Sequence, residues 1–366
     1  MIPDADFLEQ YYDAREVGAL LQLKGMLQRM AAAERGEAGR RALRAMWPDE
    51  QVFIEKTHFI KTKGDDGQVL KQLRFNYAQQ RFYDDVILPA IRENLPLRAI
   101  ILKARQLGFS TFIQSWMFEQ VDRGRSKNAL TLSYDEPSTN ELLGKGKHVY
   151  RNQWFPRATR RDSTQAIEFG DNGGTIHART SGNLSAGRGD TYQYAHFSEV
   201  PMWADAGETL TSAKQAIALA PGTAVFIEST AKGAVGEFYD AWRMAESGRS
   251  SYRPFFAPWF WDPAYALDFQ SEDEANAFGR TLNLTERRLQ EAHGLSLGQL
   301  RWRRFKIADD LEGSEAKFRQ EFPSTPKEAF LTTGSPVFNA DMIAALEENA
   351  RRPLWIGDIH LEHAEQ

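Results

Sequence analysis

One stretch constrains this chain more than any other: Leu97-Arg-Ala-Ile-Ile-Leu-Lys-Ala-Arg-Gln-Leu-Gly-Phe-Ser-Thr111. It reads as a short apolar strand, a polar loop with a single glycine, and a helix from Ser110 to about Val121. Phe112, Ile113, Trp116 and Met117 fall on one face of that helix. A strand that feeds a helix through such a loop aims free backbone N–H groups, and the positive end of the helix dipole, at an anion. The common phosphate-loop pattern is G-x-x-x-x-G-K-[ST]. With Gly108 and Ser110 set on its second half, Lys103 falls where the first glycine belongs and Phe109 where the lysine belongs. As a pattern the motif fails. As chemistry its parts are present: a close-approach glycine (Gly108), a hydroxyl for Mg²⁺ (Ser110), and a cation moved to the loop start (Lys103), with Arg105 as a second cation. The competing reading is an ordinary strand-loop-helix with solvated basic residues.

Alternating strands and helices surround this stretch. Asn128–Tyr134, Tyr192–Val200 and Thr223–Ile227 read as buried strands, which argues for a mostly parallel α/β sheet flanked by helices. Before the loop, residues 1–60 read as a helical lead, with Leu20, Leu23 and Leu27 among arginines. Gly64–Gly67 reads as a hairpin turn. Asn76–Phe82 opens a helix that Pro89 bends or ends, and Gln79 at its start is a candidate reader of adenine. Residues 166–179 read as a hairpin and 181–190 as a glycine-rich loop. The texture changes near Tyr252, giving an expected core over 61–251 and a smaller helical subdomain over 252–334. In that subdomain, 273–289 and Leu297–Lys306 read as helices and Phe322–Phe330 as extended chain, with a tail over 335–366.

Composition excludes several alternatives. Zero cysteines exclude disulfides, thiolate nucleophiles and cysteine zinc sites. A net charge of −5 excludes a uniformly basic DNA-coating protein, so nucleic-acid contact must come from local patches. The candidates are Arg157, Arg160 and Arg161, and Arg301, Arg303 and Arg304. No apolar run of ~18 residues predicts a membrane span. Met1–Phe7 carries no basic or apolar leader, so a cytoplasmic setting is expected.

Three loops then fall at the C-terminal ends of parallel strands: 103–111, 198–200 and 228–233. Ligands bind at that edge of an open α/β sheet. An NTPase needs a phosphate cradle, a hydroxyl on Mg²⁺, an acid that aligns water and a cation for transition-state charge. Residues 105–111 (Arg105, Gln106, Leu107, Gly108, Phe109, Ser110, Thr111) supply the cradle, and Ser110 the hydroxyl. Glu199 is the candidate acid, and Thr230 a candidate γ-phosphate sensor. Arg188, in the glycine-rich loop, is a candidate arginine finger. Ser198 stands where the acidic partner of Glu199 is usual, and can hold a metal-bound water but brings no charge. Phe109 is expected to turn away from phosphate.

Four motifs, in this order, resemble the large terminase subunit of tailed bacteriophages: Lys-Ala-Arg-Gln-Leu-Gly-Phe-Ser-Thr (103–111), Gly-Arg-Gly-Asp-Thr…His-Phe-Ser-Glu-Val (187–200), Glu-Ser-Thr-Ala-Lys-Gly (228–233) and Gln-Glu-Phe-Pro-Ser-Thr-Pro-Lys-Glu-Ala-Phe (320–330). The resemblance covers about 75–338. It implies a P-loop, RecA/ASCE-like ATPase that uses ATP and Mg²⁺ to move double-stranded DNA into a procapsid. It implies Lys103 as the displaced lysine, Glu199 as catalytic carboxylate and Ser229-Thr230 as a coupling motif. It also implies a portal protein, a small terminase subunit and a homo-oligomeric ring as partners, in the host cytoplasm. The chain departs from the family at Ser198, and ends at Gln366 where a nuclease domain is expected, so DNA cleavage is not expected of it. A helicase-like translocase and a non-catalytic assembly module with a degenerate site are the alternatives.

Overall fold

The computed structural model describes residues 1–64, 67–182 and 191–330. The expected turn at 65–66, the glycine-rich loop with Arg188 and the tail beyond 330 lie outside the described residues.

Ten strands are described: β1 (Phe59–Gly64), β2 (Gly67–Gln72), β3 (Leu97–Lys103), β4 (Asn128–Ser133), β5 (Thr159–Ser163), β6 (Ala166–Phe169), β7 (Thr175–Thr180), β8 (Tyr194–Ser198), β9 (Ala224–Ser229) and β10 (Arg253–Ala257). β1 and β2 form an antiparallel pair. The others form one sheet in the order β10-β3-β9-β8-β4-β7-β6-β5. From β10 to β7 every pairing is parallel, and β6 and β5 close one edge antiparallel. This is the mostly parallel sheet flanked by helices expected from the sequence.

The strands near the loop are apolar because helices cover both faces. β3, β8 and β9 are buried along their whole length. Alternation then divides the core. Ala99, Ile101, Ala129 and Phe226 face one apolar cluster, with the helix Phe109–Arg123. Ile100, Leu102, Leu130, Phe197 and Ile227 face the other, with the helices Ala206–Gln215 and Glu237–Glu246. Arg98 is buried among them, and its guanidinium donates to the Ala218 carbonyl at 2.7 Å and to Thr223 Oγ1 at 3.2 Å.

Four helices span the first 57 residues and form a small core of their own with Leu8, Leu20, Leu23, Leu27 and Trp47. Trp154 and Phe155 complete that core from the main body. Gly39 permits the approach, since a Cβ there would sit 2.6 Å from the Phe155 ring. The helix expected from Asn76 runs through Pro89, which does not end it. A π-helical turn at Tyr83–Ile87 joins Tyr77–Phe82 to Leu88–Arg92 and absorbs the missing N–H.

The hairpin expected at 166–179 forms, with β6 antiparallel to β7, and β7 joins the main sheet by pairing with β4. Three expectations need correction. No break falls at 252: β10 adds to β3, and Trp259, Trp302, Phe318 and Phe322 share the apolar cluster of the core. The helix expected over 273–289 is two, Glu272–Arg280 and Leu284–His293, because Asn283 caps the second in a capping box. The segment expected to be extended at 322–330 contains a helical turn, Pro326–Phe330.

Arg157 is also corrected here. It is buried, and its guanidinium meets Asp122 Oδ1 at 3.0 Å and Asp171 Oδ2 at 2.9 Å, so its charge is used inside the fold. Removing it leaves Asp122 buried beside Glu119 with only Arg44 as counter-charge. Arg157→Ala should lower the unfolding free energy by about 3 kcal/mol. The midpoint of a urea titration checks this.

Candidate nucleotide site

The loop 104–108 turns at the end of β3, where Gln106 (φ 60°) and Gly108 (φ 73°) both take left-handed backbone. Side chains from elsewhere hold its carbonyls. Tyr265 Oη donates to the Arg105 carbonyl at 2.8 Å. Asn76 Nδ2 donates to the Leu107 carbonyl, and Gln79 Nε2 to the Gly108 carbonyl, each at 3.0 Å. The Arg105 N–H donates to the Glu321 carbonyl at 2.9 Å, and the Arg105 guanidinium pairs with the Glu321 carboxylate. With the carbonyls tied outward, the amides of 106–111 find no protein acceptor among the described residues; the first one paired is Phe112, which donates to Gly108. Six consecutive donors at a helix N-terminus make an anion cradle.

Lys103 lies beneath this cradle, nearly buried, with its Nζ 3.7 Å from Glu199 Oε1 and 3.9 Å from Glu228 Oε1. Burial alone pushes a lysine pKa down; here Glu228 and Glu199 more than offset burial and the net shift is upward. Lys103 therefore carries its charge at neutral pH. Phe109 turns inward against Phe82 and Phe255, as expected of a residue in the lysine's usual place.

Glu199 follows β8 in left-handed backbone (φ 53°, ψ 45°), and Ser229 Oγ donates to its Oε2 at 2.8 Å. Ser229 ends β9, so the neighbouring strand fixes the aim of the carboxylate. Ser110 Oγ and Ser198 Oγ do not point at one another but at a third group. Both donate to Glu228 Oε1, at 2.8 and 3.3 Å. Glu228 is fully buried, and its other oxygen, Oε2, has no hydrogen-bond partner among the described residues. His196 lies 3.9 Å from Glu228 Oε1. Burial first, and the Lys103 charge second, push the His196 pKa down to about 3, so it is neutral and forms no ion pair.

Lys103, Arg105, Ser110, Ser198, Glu199, Thr230 and Lys145 line one cleft of about 490 Å³, with Glu228 and His196 buried behind it. The volume suits a nucleotide-sized ligand. A neighbouring cleft of about 560 Å³, between the turn after Glu199 and the helix Glu237–Glu246, is larger but holds none of the loop. The loop residues therefore belong to the first.

Of the residues expected from the sequence, Lys103, Gly108, Ser110, Ser198, Glu199 and Thr230 come together at one edge of the sheet. Gln79 is corrected: its amide is buried and bound to the loop, its Oε1 accepting from the Asn76 N–H at 3.1 Å, so it holds backbone rather than offering an edge to adenine. The expected basic run on the helix Leu297–Phe305 is paired with carboxylates, with Arg303 buried and Arg301 and Arg304 half-buried. Arg303 is buried with Glu315, Arg304 meets both oxygens of Glu286 at 2.6 Å, and Arg301 pairs with Glu274 at 3.0 Å. Arg160 and Arg161 stay exposed on the edge strand β5, near Glu168. Glu228, Asn76, Tyr265 and Glu321 were given no role from the sequence. Glu228 alone had a signal: a carboxylate closing an apolar strand, as Glu199 does.

No protein-family model and no curated protein matches the chain. Solved structures similar to it include the large terminase of the thermophilic bacteriophage D6E, at 12% identity and a TM-score of 0.42 over 58% of this chain and 51% of that one. The ATPase domain of the Thermus phage P74-26 large terminase matches at 14% and 0.42, over 68% and 98%. The large terminase of bacteriophage HK97 matches at 14% and 0.43, over 66% and 50%. The match thus spans about half the length of the D6E and HK97 proteins. At such identity the likeness concerns fold alone, and the residue roles above come from geometry.

Gly108 tests the cradle. A Cβ there would lie 2.7 Å from Gln79 Nε2, on backbone that L-residues avoid. Gly108→Ala should cost about 1–2 kcal/mol of stability. Paired with Gln79→Ala it should cost less than the sum by about 0.5 kcal/mol or more, since the clash is shared. A double-mutant cycle by denaturation checks both.

Proposed function

We propose that the chain is the Mg²⁺-dependent ATPase of a viral DNA-packaging motor. One observation carries the ATPase reading: six unpaired amides curve over a buried, charged lysine, with a braced carboxylate across the cleft. The cradle holds a chain of phosphates, and Lys103 neutralises charge as the terminal phosphoryl group leaves. Glu199, strained in backbone and braced by Ser229, orients the attacking water and accepts its proton. Thr230 lies one residue beyond Ser229 on the cleft wall, where a hydroxyl meets the terminal phosphate.

A metal fits this donor set: an unpartnered, buried carboxylate oxygen lies beside the hydroxyl of Ser110. Ser110 would hold it, and Mg²⁺ would neutralise charge on the phosphate oxygens. Arg188 is proposed as the finger that reaches a neighbouring copy in a ring. The motif resemblance supports double-stranded DNA, a portal and procapsid and a small terminase subunit as partners. Arg160 and Arg161 remain candidate phosphate contacts on the duplex, read without sequence preference. No described helix is long and apolar enough to cross a membrane. The pairing of Lys103 with Glu199 favours a catalytic site over a degenerate assembly module.

Glu199→Ala should reduce ATP turnover by about 100-fold or more while nucleotide binding stays within about threefold. A steady-state phosphate-release assay beside fluorescence titration with an ATP analogue checks this. Turnover unchanged in Glu199→Ala would remove Glu199 from the chemistry. Arg188→Ala should be inactive alone and regain turnover when mixed with Glu199→Ala. No recovery in any mixture would exclude action across the ring.

A further inference from the structure

Glu228 moves no proton in the hydrolysis just described, yet it is a fully buried carboxylate at the site. We propose that Glu228 is the metal-supporting carboxylate of this nucleotide site, supplying from β9 the negative charge that Ser198 cannot supply from β8. The proposal rests on the nucleotide reading above and deepens it.

Three observations carry it. The first is register. Ser198 and Glu228 are direct partners across β8 and β9, and Glu228 also pairs with Ile101 of β3. Parity along β9 puts Glu228 on the face of Ala224 and Phe226, the face covered by the helix Phe109–Arg123. An acid moved from β8 to β9 stands one strand, about 4.8 Å, closer to the phosphate loop. It reaches the same space because β9 lies between β3 and β8.

The second is hydrogen bonding. Oε1 accepts from Ser110 and Ser198, so the carboxylate is fixed against the hydroxyl that a nucleotide-bound Mg²⁺ uses. Oε2 is buried without a partner. A buried carboxylate oxygen left so is costly unless a ligand satisfies it.

The third is charge. Glu199 and Glu228 together carry two negative charges, and Lys103 is the cation between them. Arg105 is paired with Glu321. Two carboxylates therefore share one buried cation within reach of Ser110. A divalent cation answers this arrangement, and a neutral ligand does not.

The test is the effect of Mg²⁺ on nucleotide affinity, read without turnover. A fluorescent ATP analogue is titrated with Mg²⁺ and with EDTA, and Mn²⁺ binding to the protein–nucleotide complex is followed by EPR. Mg²⁺ should tighten wild-type binding by about tenfold or more. Glu228→Gln keeps the shape and the acceptor for Ser110 but loses the charge. Its Mg²⁺ response should fall to within about twofold, with weaker Mn²⁺ binding. In Ser198→Asp/Glu228→Gln the acid returns to β8, and the response should recover. A folded Glu228→Gln with a full Mg²⁺ response overturns the proposal. If Glu228→Gln does not fold, the double variant decides: recovery supports the assignment and its absence overturns it. A wild-type chain that binds no nucleotide in either buffer overturns the nucleotide reading itself, and this assignment with it.

Discussion

A charged lysine buried at the end of a parallel strand is the constraint on which the rest of this structure depends. Lys103 Nζ has no water shell to speak of, so the fold must bring carboxylates to it. It brings two, from two different strands, Glu199 after β8 and Glu228 on β9. That requires β9 to lie between β3 and β8, and both strands to end at the level of Lys103. The strand order is thus tied to the chemistry. A sheet with β8 directly beside β3 would set β9, and Glu228 with it, one strand further from the lysine.

How much of this was legible in the sequence depended on how far each residue's partners lie along the chain. β3, β4, β8 and β9 were legible because strands buried on both faces are continuous apolar runs. The displaced lysine was legible from spacing inside one loop, and it implied that Phe109 turns inward, which it does. Gln79 was misread because the carbonyl it holds is 29 residues away, and an amide at a helix start looks the same whether it faces solvent or backbone. Arg157 looked like part of a basic patch because Asp122 is 35 residues distant. Glu228 stood in plain view beside Ser229. It acquires meaning only when the sheet order sets it between Lys103 and Ser198.

The same reasoning removes the boundary expected near 252. A change in texture toward aromatic residues suggested a separate unit. The aromatic residues instead extend one core: Trp259 stacks on Trp302 with centroids 5.3 Å apart, Tyr265 stacks on Trp302 at 4.4 Å, and Tyr265 reaches the phosphate loop through its hydroxyl. Glu321 takes the loop from the other end of the same segment. Residues before β3 do the equivalent work through Asn76 and Gln79. The loop is therefore held from both sides of the sequence, and its shape reports the packing of segments that make no contact with phosphate.

Backbone strain identifies the same edge independently. Five non-glycine residues have positive φ among the described residues: Asn94, Gln106, Ser126, Glu199 and Glu312. Asn94, Ser126 and Glu312 follow shortly after helical segments that end at Arg92, Arg123 and Asp310, where a left-handed residue is an ordinary terminator. Gln106 and Glu199 have no such excuse, since each follows a strand and precedes a helical turn. Each costs about 1–3 kcal/mol unless its surroundings compel it. For Glu199 the compelling groups are the Glu228 carbonyl, which accepts its N–H at 2.9 Å, and Ser229, which holds its carboxylate. For Gln106 they are the flanking bonds at Arg105 and Leu107. Strain that is opposed on every side at two points of one cleft is the mark of a preorganised site, in which the donors and the acid are aimed before any phosphate arrives.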